Sequence, residues 1–235
     1  MALAVRSVAT GGAATGNVTV TKPAGTIATD YLVGFAFQDP DGSAASLTAT
    51  GYAQLGTTNT IAGVGFAKAW GKVAGGSEPT TYTFGGSASA TSVVTLVCLM
   101  DTNAATPVNA GPVNGGSSTA SNSHAASSVT TGVANTLLLA MFASVTQNAG
   151  SSYNPPAGMT ELTDVNAGSW VQQSVCSEAI AASGATGTRT ATLGSGDIKS
   201  YLTFSVAFAP SSGAAADPVR RIVVPTFAVM RAATF

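Results

Sequence analysis

Charge is what this chain has least of. Lys, Arg, Asp and Glu together make 8% of its 235 residues, against about 25% in an ordinary soluble domain. The net charge is −1, so no overall field draws the chain toward nucleic acid or an anionic membrane surface. Low charge combined with 45% hydrophobic residues excludes a disordered chain, which needs the opposite balance. It also leaves a surface of hydroxyls and small apolar groups, which suits a subunit partly covered by its neighbours. A single histidine excludes a metal centre built on imidazoles. Two cysteines exclude a disulfide framework. Cys98 and Cys176 both fall in apolar, strand-like runs and read as buried free thiols, with one bridge between strands left open.

Helical and membrane patterns are missing as well. No run reaches the roughly 18 apolar residues of a membrane helix, and no stretch of about ten shows three-to-four spacing with caps. The start, Met1-Ala2-Leu3-Ala4-Val5-Arg6, lacks the sustained apolar core of a signal peptide. The expectation is a soluble protein made without export by the standard route.

What the chain does have is one β-rich segment written twice. Asp30-Tyr31-Leu32-Val33-Gly34-Phe35-Ala36-Phe37 returns as Asn135-Thr136-Leu137-Leu138-Leu139-Ala140-Met141-Phe142. Gly51-Tyr52-Ala53-Gln54-Leu55-Gly56 returns as Gly158-Met159-Thr160-Glu161-Leu162-Thr163. Tyr82-Thr83-Phe84 answers to 189–193, and Val93 through Met100 to Tyr201 through Phe208, all at an offset of about 107 residues. An ordered offset marks duplication. Short strands with Gly and Pro turns at about eight-to-twelve-residue spacing indicate an all-β sandwich or barrel. Strands are expected at 31–37, Leu47 to Leu55, Ile61 to Lys72, 82–84 and 93–100, with turns at Asp39-Pro40-Asp41-Gly42, Glu78-Pro79 and Pro155-Pro156-Ala157-Gly158.

A sheet of four or five strands has an apolar face that it cannot bury alone. The two copies are therefore expected to face each other in one jelly-roll-like β-sandwich of two pseudo-symmetric repeats, with two independent small sandwiches as the alternative. The sandwich fills 1–210: repeat one about 18–101, a linker at 102–128, and repeat two about 129–209. The linker, rich in Asn, Ala, Gly and Ser, reads as a mobile loop or as a short strand on a solvated sheet. Residues 211–235 follow as a linker and a C-terminal arm. The arm is apolar and β-branched and holds three of the five arginines. Arg220, Arg221, Ile222, Val223, Val224, Phe227, Met230, Arg231 and Phe235 are its candidate partner-binding residues, by strand addition or by filling a groove on another subunit. A last strand folded back on its own domain is the alternative.

Few residues offer chemistry. His124 lies among Ser121, Ser123, Ser127 and Ser128, without a Gly-x-Ser-x-Gly elbow, and reads as a solvated loop histidine. Asp39-Pro40-Asp41-Gly42 resembles the start of a calcium loop, but Thr50 stands where a bidentate Glu is needed, so a turn is expected. Glu78, Glu161 and Asp197 are the acids nearest to a glycosidase pair, yet one precedes a Pro turn, one lies in a strand and one in a Gly-Ser loop. Trp70, Trp170, Tyr31, Tyr52 and Tyr153 could make an aromatic platform for sugar. Trp70, Tyr31 and Tyr52 belong to strands where core packing is the default, which leaves Tyr153, in Gly150-Ser151-Ser152-Tyr153-Asn154, as the possible glycan contact. No catalytic residue, cofactor or metal ligand is assigned.

Several segments resemble β-sandwich structural proteins of tailed phages infecting actinobacteria, the minor tail proteins. They are Pro23-Ala24-Gly25-Thr26 with Asp30-Tyr31-Leu32-Val33, the stretch from Lys72 through Gly75-Gly76-Ser77-Glu78-Pro79 to Phe84, Pro155 through Glu161, and Ala182 through Thr192. They cover most of 18–209, and Val223 to Phe235 looks like the C-terminal arms of such virion proteins. The resemblance implies a virion component on the tail or the capsid exterior, synthesised in the host cytoplasm. Its partners would be other virion subunits and copies of itself, with host surface glycan as a further possibility and with no nucleic acid and no membrane insertion. A capsid decoration protein and a carbohydrate-binding module are the alternatives, and a hydrolase stands behind both.

Overall fold

A computed structural model describes residues 2–146, 151–168, 170–194 and 199–211. The described residues form strands and turns with no helix. The first half of the chain gives β1 (Ala4–Ala13), β2 (Val18–Thr21), β3 (Tyr31–Gln38), β4 (Ala53–Ile61), β5 (Gly65–Val73), β6 (Thr81–Phe84) and β7 (Ser92–Met100). The second half gives β8 (Val108–Ser121), β9 (Ser123–Ala126), β10 (Thr130–Thr131), β11 (Thr136–Val145), β12 (Tyr153–Asn154), β13 (Thr160–Ala167), β14 (Val171–Ile180), β15 (Gly184–Ala185), β16 (Arg189–Leu193) and β17 (Lys199–Phe208).

Two five-stranded antiparallel sheets carry the structure. The first has the order β1-β7-β3-β5-β4 and the second β13-β14-β11-β17-β8. Read from its other edge, the second order matches the first strand for strand, each strand standing in for one in the same place of the other half. Smaller sheets, β2-β6 and β12-β16-β9, repeat the correspondence. Each large sheet is completed within one half of the chain. The chain therefore does not pass back and forth between the facing sheets as it would in a jelly roll.

The inner faces meet in one apolar core. Tyr31, Val33, Phe35 and Phe37 of β3 and Val93, Val97 and Leu99 of β7 pack with Leu139 and Met141 of β11 and Phe204, Val206 and Phe208 of β17. Aromatic rings cross the gap, with the Phe35 and Phe204 centroids 6.5 Å apart and those of Tyr31 and Phe208 5.8 Å apart. The strand alternation sends the intervening residues outward. Leu32, Ala36, Val94, Leu96 and Cys98 join Val18, Val20, Tyr82 and Phe84 of the β2-β6 pair in a second cluster. Leu138, Ala140 and Phe142 join Ala126, Tyr153, Ala191 and Leu193 of the β12-β16-β9 sheet in a third. The molecule thus has four layers, and β3, β7, β11 and β17 are buried along almost their whole length. Strands with both faces covered read as continuous apolar runs rather than alternating ones, which is how these four appear in the sequence.

Polar ties fix the two sheets against each other. Thr95 Oγ1 donates to Gln173 Oε1 at 2.6 Å, with both residues fully buried. Asn59 Nδ2 donates to the Gly115 and Thr203 carbonyls at 2.8 and 3.0 Å. At one edge β1 closes on β13, where a side chain at Gly12 would come within 2.7 Å of the Ala167 Cβ.

One expected boundary is corrected, and two readings left open are decided. The segment 102–128 holds β8, the longest strand and an edge of the second sheet, followed by β9. Its Ser, Thr, Asn and Gly suit a half-exposed edge. The strand expected at Leu47 to Leu55 begins only at Ala53, because Leu47 is drawn under the outer cluster and is buried there. A bridge between Cys98 and Cys176 does not form: the two thiols are free and belong to the clusters on opposite outer sides.

The central core sets the stability. Phe204→Ala is expected to cost about 3–5 kcal/mol, as large core truncations do. Thr95→Val, which leaves the buried Gln173 carbonyl without its donor, is expected to cost about 1–3 kcal/mol. Urea unfolding of both variants checks the order, and equal, near-zero effects contradict it.

Candidate functional site

His124 and Tyr153 are brought together, and both lie inside the molecule. His124 stands on β9 with no exposed surface, and Tyr153 on β12 is 3% exposed. The Tyr153 hydroxyl lies 2.9 Å from His124 Nδ1 and 3.0 Å from Ser144 Oγ. His124 Nε2 faces the Ser121 and Lys199 carbonyls at 2.8 and 3.2 Å. Two acceptors at Nε2 place the proton of the neutral ring there, which leaves Nδ1 as an acceptor facing the Tyr153 hydroxyl. The Tyr201 ring stacks on the imidazole, centroids 4.1 Å apart and 9° from parallel. The solvated loop histidine and the exposed glycan-contact tyrosine are both corrected. The short outer sheet of β12, β16 and β9 carries them down onto the large sheet, and their polar atoms find partners across that junction.

Asp164 continues the polar seam. One oxygen accepts the Tyr153 amide at 2.6 Å and the other accepts from Gln172 Nε2. Burial pushes its carboxyl up to about 6, and the Tyr153 amide pulls it back only in part. His124 moves the other way: burial drives it below its ordinary 6.5, against the raising effect of its two backbone bonds. An enclosed imidazole whose every nitrogen is used by the fold serves as a structural joint.

The other candidates are absorbed by the fold. Asp39 accepts from the Asp41 and Thr91 amides and so holds the Asp-Pro-Asp-Gly turn. Glu78 accepts from Lys72, Tyr82 and the Gly75 amide. Burial alone would raise its pKa, but those bonds together leave it below the usual carboxylate range. Glu161 accepts from Ser174. Tyr31 and Trp70 are core residues, while Trp170 is 49% exposed at the turn before β14. Asp197 and the arm residues Arg220 to Phe235 lie outside the described residues.

Of four buried side-chain atoms without a partner among the described residues, Thr136 Oγ1 stands apart and the other three lie at two places, where only Tyr52 had been weighed from the sequence. The first is the end of the sandwich where β7 and β17 finish. There Thr102 bridges Pro210, Asn103 N donates to the Ala209 carbonyl, and Ser211 N donates to the Asp101 carbonyl. Beside this junction is a cleft of about 740 Å³ bordered by Arg6, Ile27, Asp30, Met100, Thr102 and Ser211, with Asp101 also on its wall. Arg6 grips Asp30 through two nitrogens at 2.8 and 3.0 Å, which raises the arginine further. Asp101 Oδ2 and Thr102 Oγ1 are buried without a hydrogen-bond partner, and Thr102 as a whole is only 5% exposed. Ile27 is 56% exposed. A second cleft of about 430 Å³ shares Asn103 and Ser211 with the first and includes Val133, 44% exposed.

The second place is the outer face of β2-β6. A shallow cleft of about 310 Å³ there is lined by Asn17, Thr48, Thr81 and Thr83 around Tyr52 and Tyr82. The Tyr52 hydroxyl is buried and unpartnered, and the Lys72 ammonium lies 5.6 Å from the centre of the Tyr52 ring.

Compared with models of protein families, with curated proteins and with solved structures, the chain matches none of them.

The lone histidine makes the buried joint easy to test. A folded pKa below the unfolded 6.5 means that the unfolded chain takes up the proton first as the pH falls. The contribution of His124 is therefore complete above about pH 6.5 and is lost on acidification. Asp164, with its pKa raised, acts oppositely: its contribution is present at low pH and is lost as pH rises from about 4 through 6. The single imidazole resonance followed by NMR is expected to titrate below 6.5, and a midpoint at or above 6.5 contradicts the enclosed joint.

Proposed function

We propose that this chain is a non-enzymatic structural subunit of a tailed-phage virion, most simply a minor tail protein. In this reading the sandwich is an exposed brick, and the segment 212–235 anchors it to neighbouring subunits, including copies of itself. One observation carries the reading. Residues 2–211 close three apolar clusters of their own, so the Ile, Val, Phe and Met side chains of 212–235 are not needed to complete the core. An apolar, arginine-bearing segment that its own domain does not require is suited to a partner. The resemblance of 18–209 to minor tail proteins points the same way, as does a surface poor in charge. The matching strand orders of the two large sheets further support two pseudo-symmetric copies of one ancestral unit. A capsid decoration protein is the close variant. In either place the chain works on the virion exterior after synthesis in the host cytoplasm, without nucleic acid, membrane insertion or cofactor.

A carbohydrate-binding module is the second reading. It now draws on the Tyr52 cleft, where hydroxyls surround an aromatic pair, and no longer on the buried Tyr153.

Removing 212–235 is expected to leave the thermal midpoint of the domain unchanged and to abolish incorporation into particles. Loss of folding on this deletion contradicts the reading. Glycan binding retained by the shortened chain, with no effect on assembly, favours the second.

A further inference from the structure

We propose that the cleft beside Ser211 is the socket for the segment Asp217–Phe235 of a second copy of this chain. The inference rests on the reading of 212–235 as an anchoring segment and adds the surface that receives it. The cleft carries buried acceptors with nothing to accept: Asp101 Oδ2 and the hydroxyl of Thr102. An orphaned polar atom in a buried setting costs about 1–3 kcal/mol, and a donor brought by a partner relieves that cost. The cleft also has net negative character. Arg6 is held by Asp30 through two nitrogens, and Asp101 adds a second carboxylate beside it, whose Oδ2 accepts no hydrogen bond. Its rim is apolar, with Ile27 more than half exposed.

The segment supplies the complement in the right order. Arg220-Arg221 is followed directly by Ile222-Val223-Val224. A guanidinium forms its strongest hydrogen bonds with a carboxylate, and the β-branched residues that follow match the Ile27 and Met100 surface. Three arginines against Asp217 make 212–235 net positive, opposite in sign to the cleft. Position matters too. Ser211, the last described residue, lies on the walls of both clefts. Each copy therefore presents the socket at the same end from which its own segment departs. Eight residues lie between Ser211 and Arg220, a span of up to about 30 Å when extended, enough to reach across to a neighbour's socket. The second cleft runs on from the first toward Val133, so an occupant longer than the arginine pair has further apolar surface to cover.

The test uses the full chain and sedimentation velocity over a range of concentrations. The wild type is expected to self-associate. Asp101→Asn is expected to weaken association by about tenfold or more, the loss of a charge-assisted bond. Asparagine tolerates the positive φ of 58° at this position, so the fold is kept. Arg220→Gln with Arg221→Gln is expected to do the same, and combining all three changes to add little, because they remove one contact. Ile27→Lys, at an exposed site, is the second variant and weakens association without lowering the melting temperature. Mixing the Asp101→Asn chain with the chain carrying Arg220→Gln and Arg221→Gln restores a complex, since one partner still has a segment and the other a socket. A segment folded into its own socket gives a monomer with no complementation, and that result overturns the proposal. Association that needs 212–235 but ignores the Asp101 and Ile27 changes also overturns it, while leaving the anchoring role intact. If the deletion changes neither association nor assembly, the anchoring role fails as well.

Discussion

Four central strands with water on neither face are the constraint on which the rest of the molecule depends. β3, β7, β11 and β17 project one set of side chains into the gap between the large sheets and the other set outward. Each fully buried Phe, Leu or Val contributes about 1.5–3 kcal/mol relative to exposure, but only if both gaps stay dry. The inner gap is closed by the facing sheet, so neither half can bury its face without the other. The outer gaps are closed by the short β2-β6 and β12-β16-β9 sheets. This explains the composition: strands buried on both faces have no place for charge, and the capping layers can be small.

Polar groups inside this framework are placed where they set geometry. Thr95 with Gln173, and Asn59 with two carbonyls of the other half, hold the sheets in one relative position. His124 and Tyr153 tie the small sheet that carries them both to its large sheet, through the Lys199 carbonyl and Ser144 Oγ. In such surroundings a satisfied polar pair specifies one arrangement, whereas an orphan is costly. Asp101, Thr102 and Tyr52 are orphans that border clefts, so the places where the fold leaves polar groups unmet lie at its ends and outer face.

Much of the scaffold was legible in the sequence. The four buried strands announce themselves as apolar runs, two in each half of the chain. The edge strand β1 was not legible and β8 was only one of two readings of 102–128, because Gly, Ala, Ser and Thr on a half-exposed edge carry almost no periodic signal. His124 and Tyr153 sit in stretches of Ser, Asn and Gly that read locally as loops, yet residues 29 apart are joined beneath the outer sheet. Pairing of that kind is set by tertiary structure, which local composition does not encode. Asp101 and Thr102 were invisible for the same reason: their surroundings come from the two strand ends and from Arg6, far away in the chain.

Two halves that share one core unfold as a single cooperative unit. Native-state hydrogen exchange in rising denaturant tests it directly, by comparing the Val97 amide in the first sheet with the Phe204 amide in the second. Both are expected to open with the same free energy and the same denaturant dependence, as one global unfolding event. If one sheet opens at markedly lower free energy while the other stays protected, the halves are independent and the shared core does not hold the molecule together.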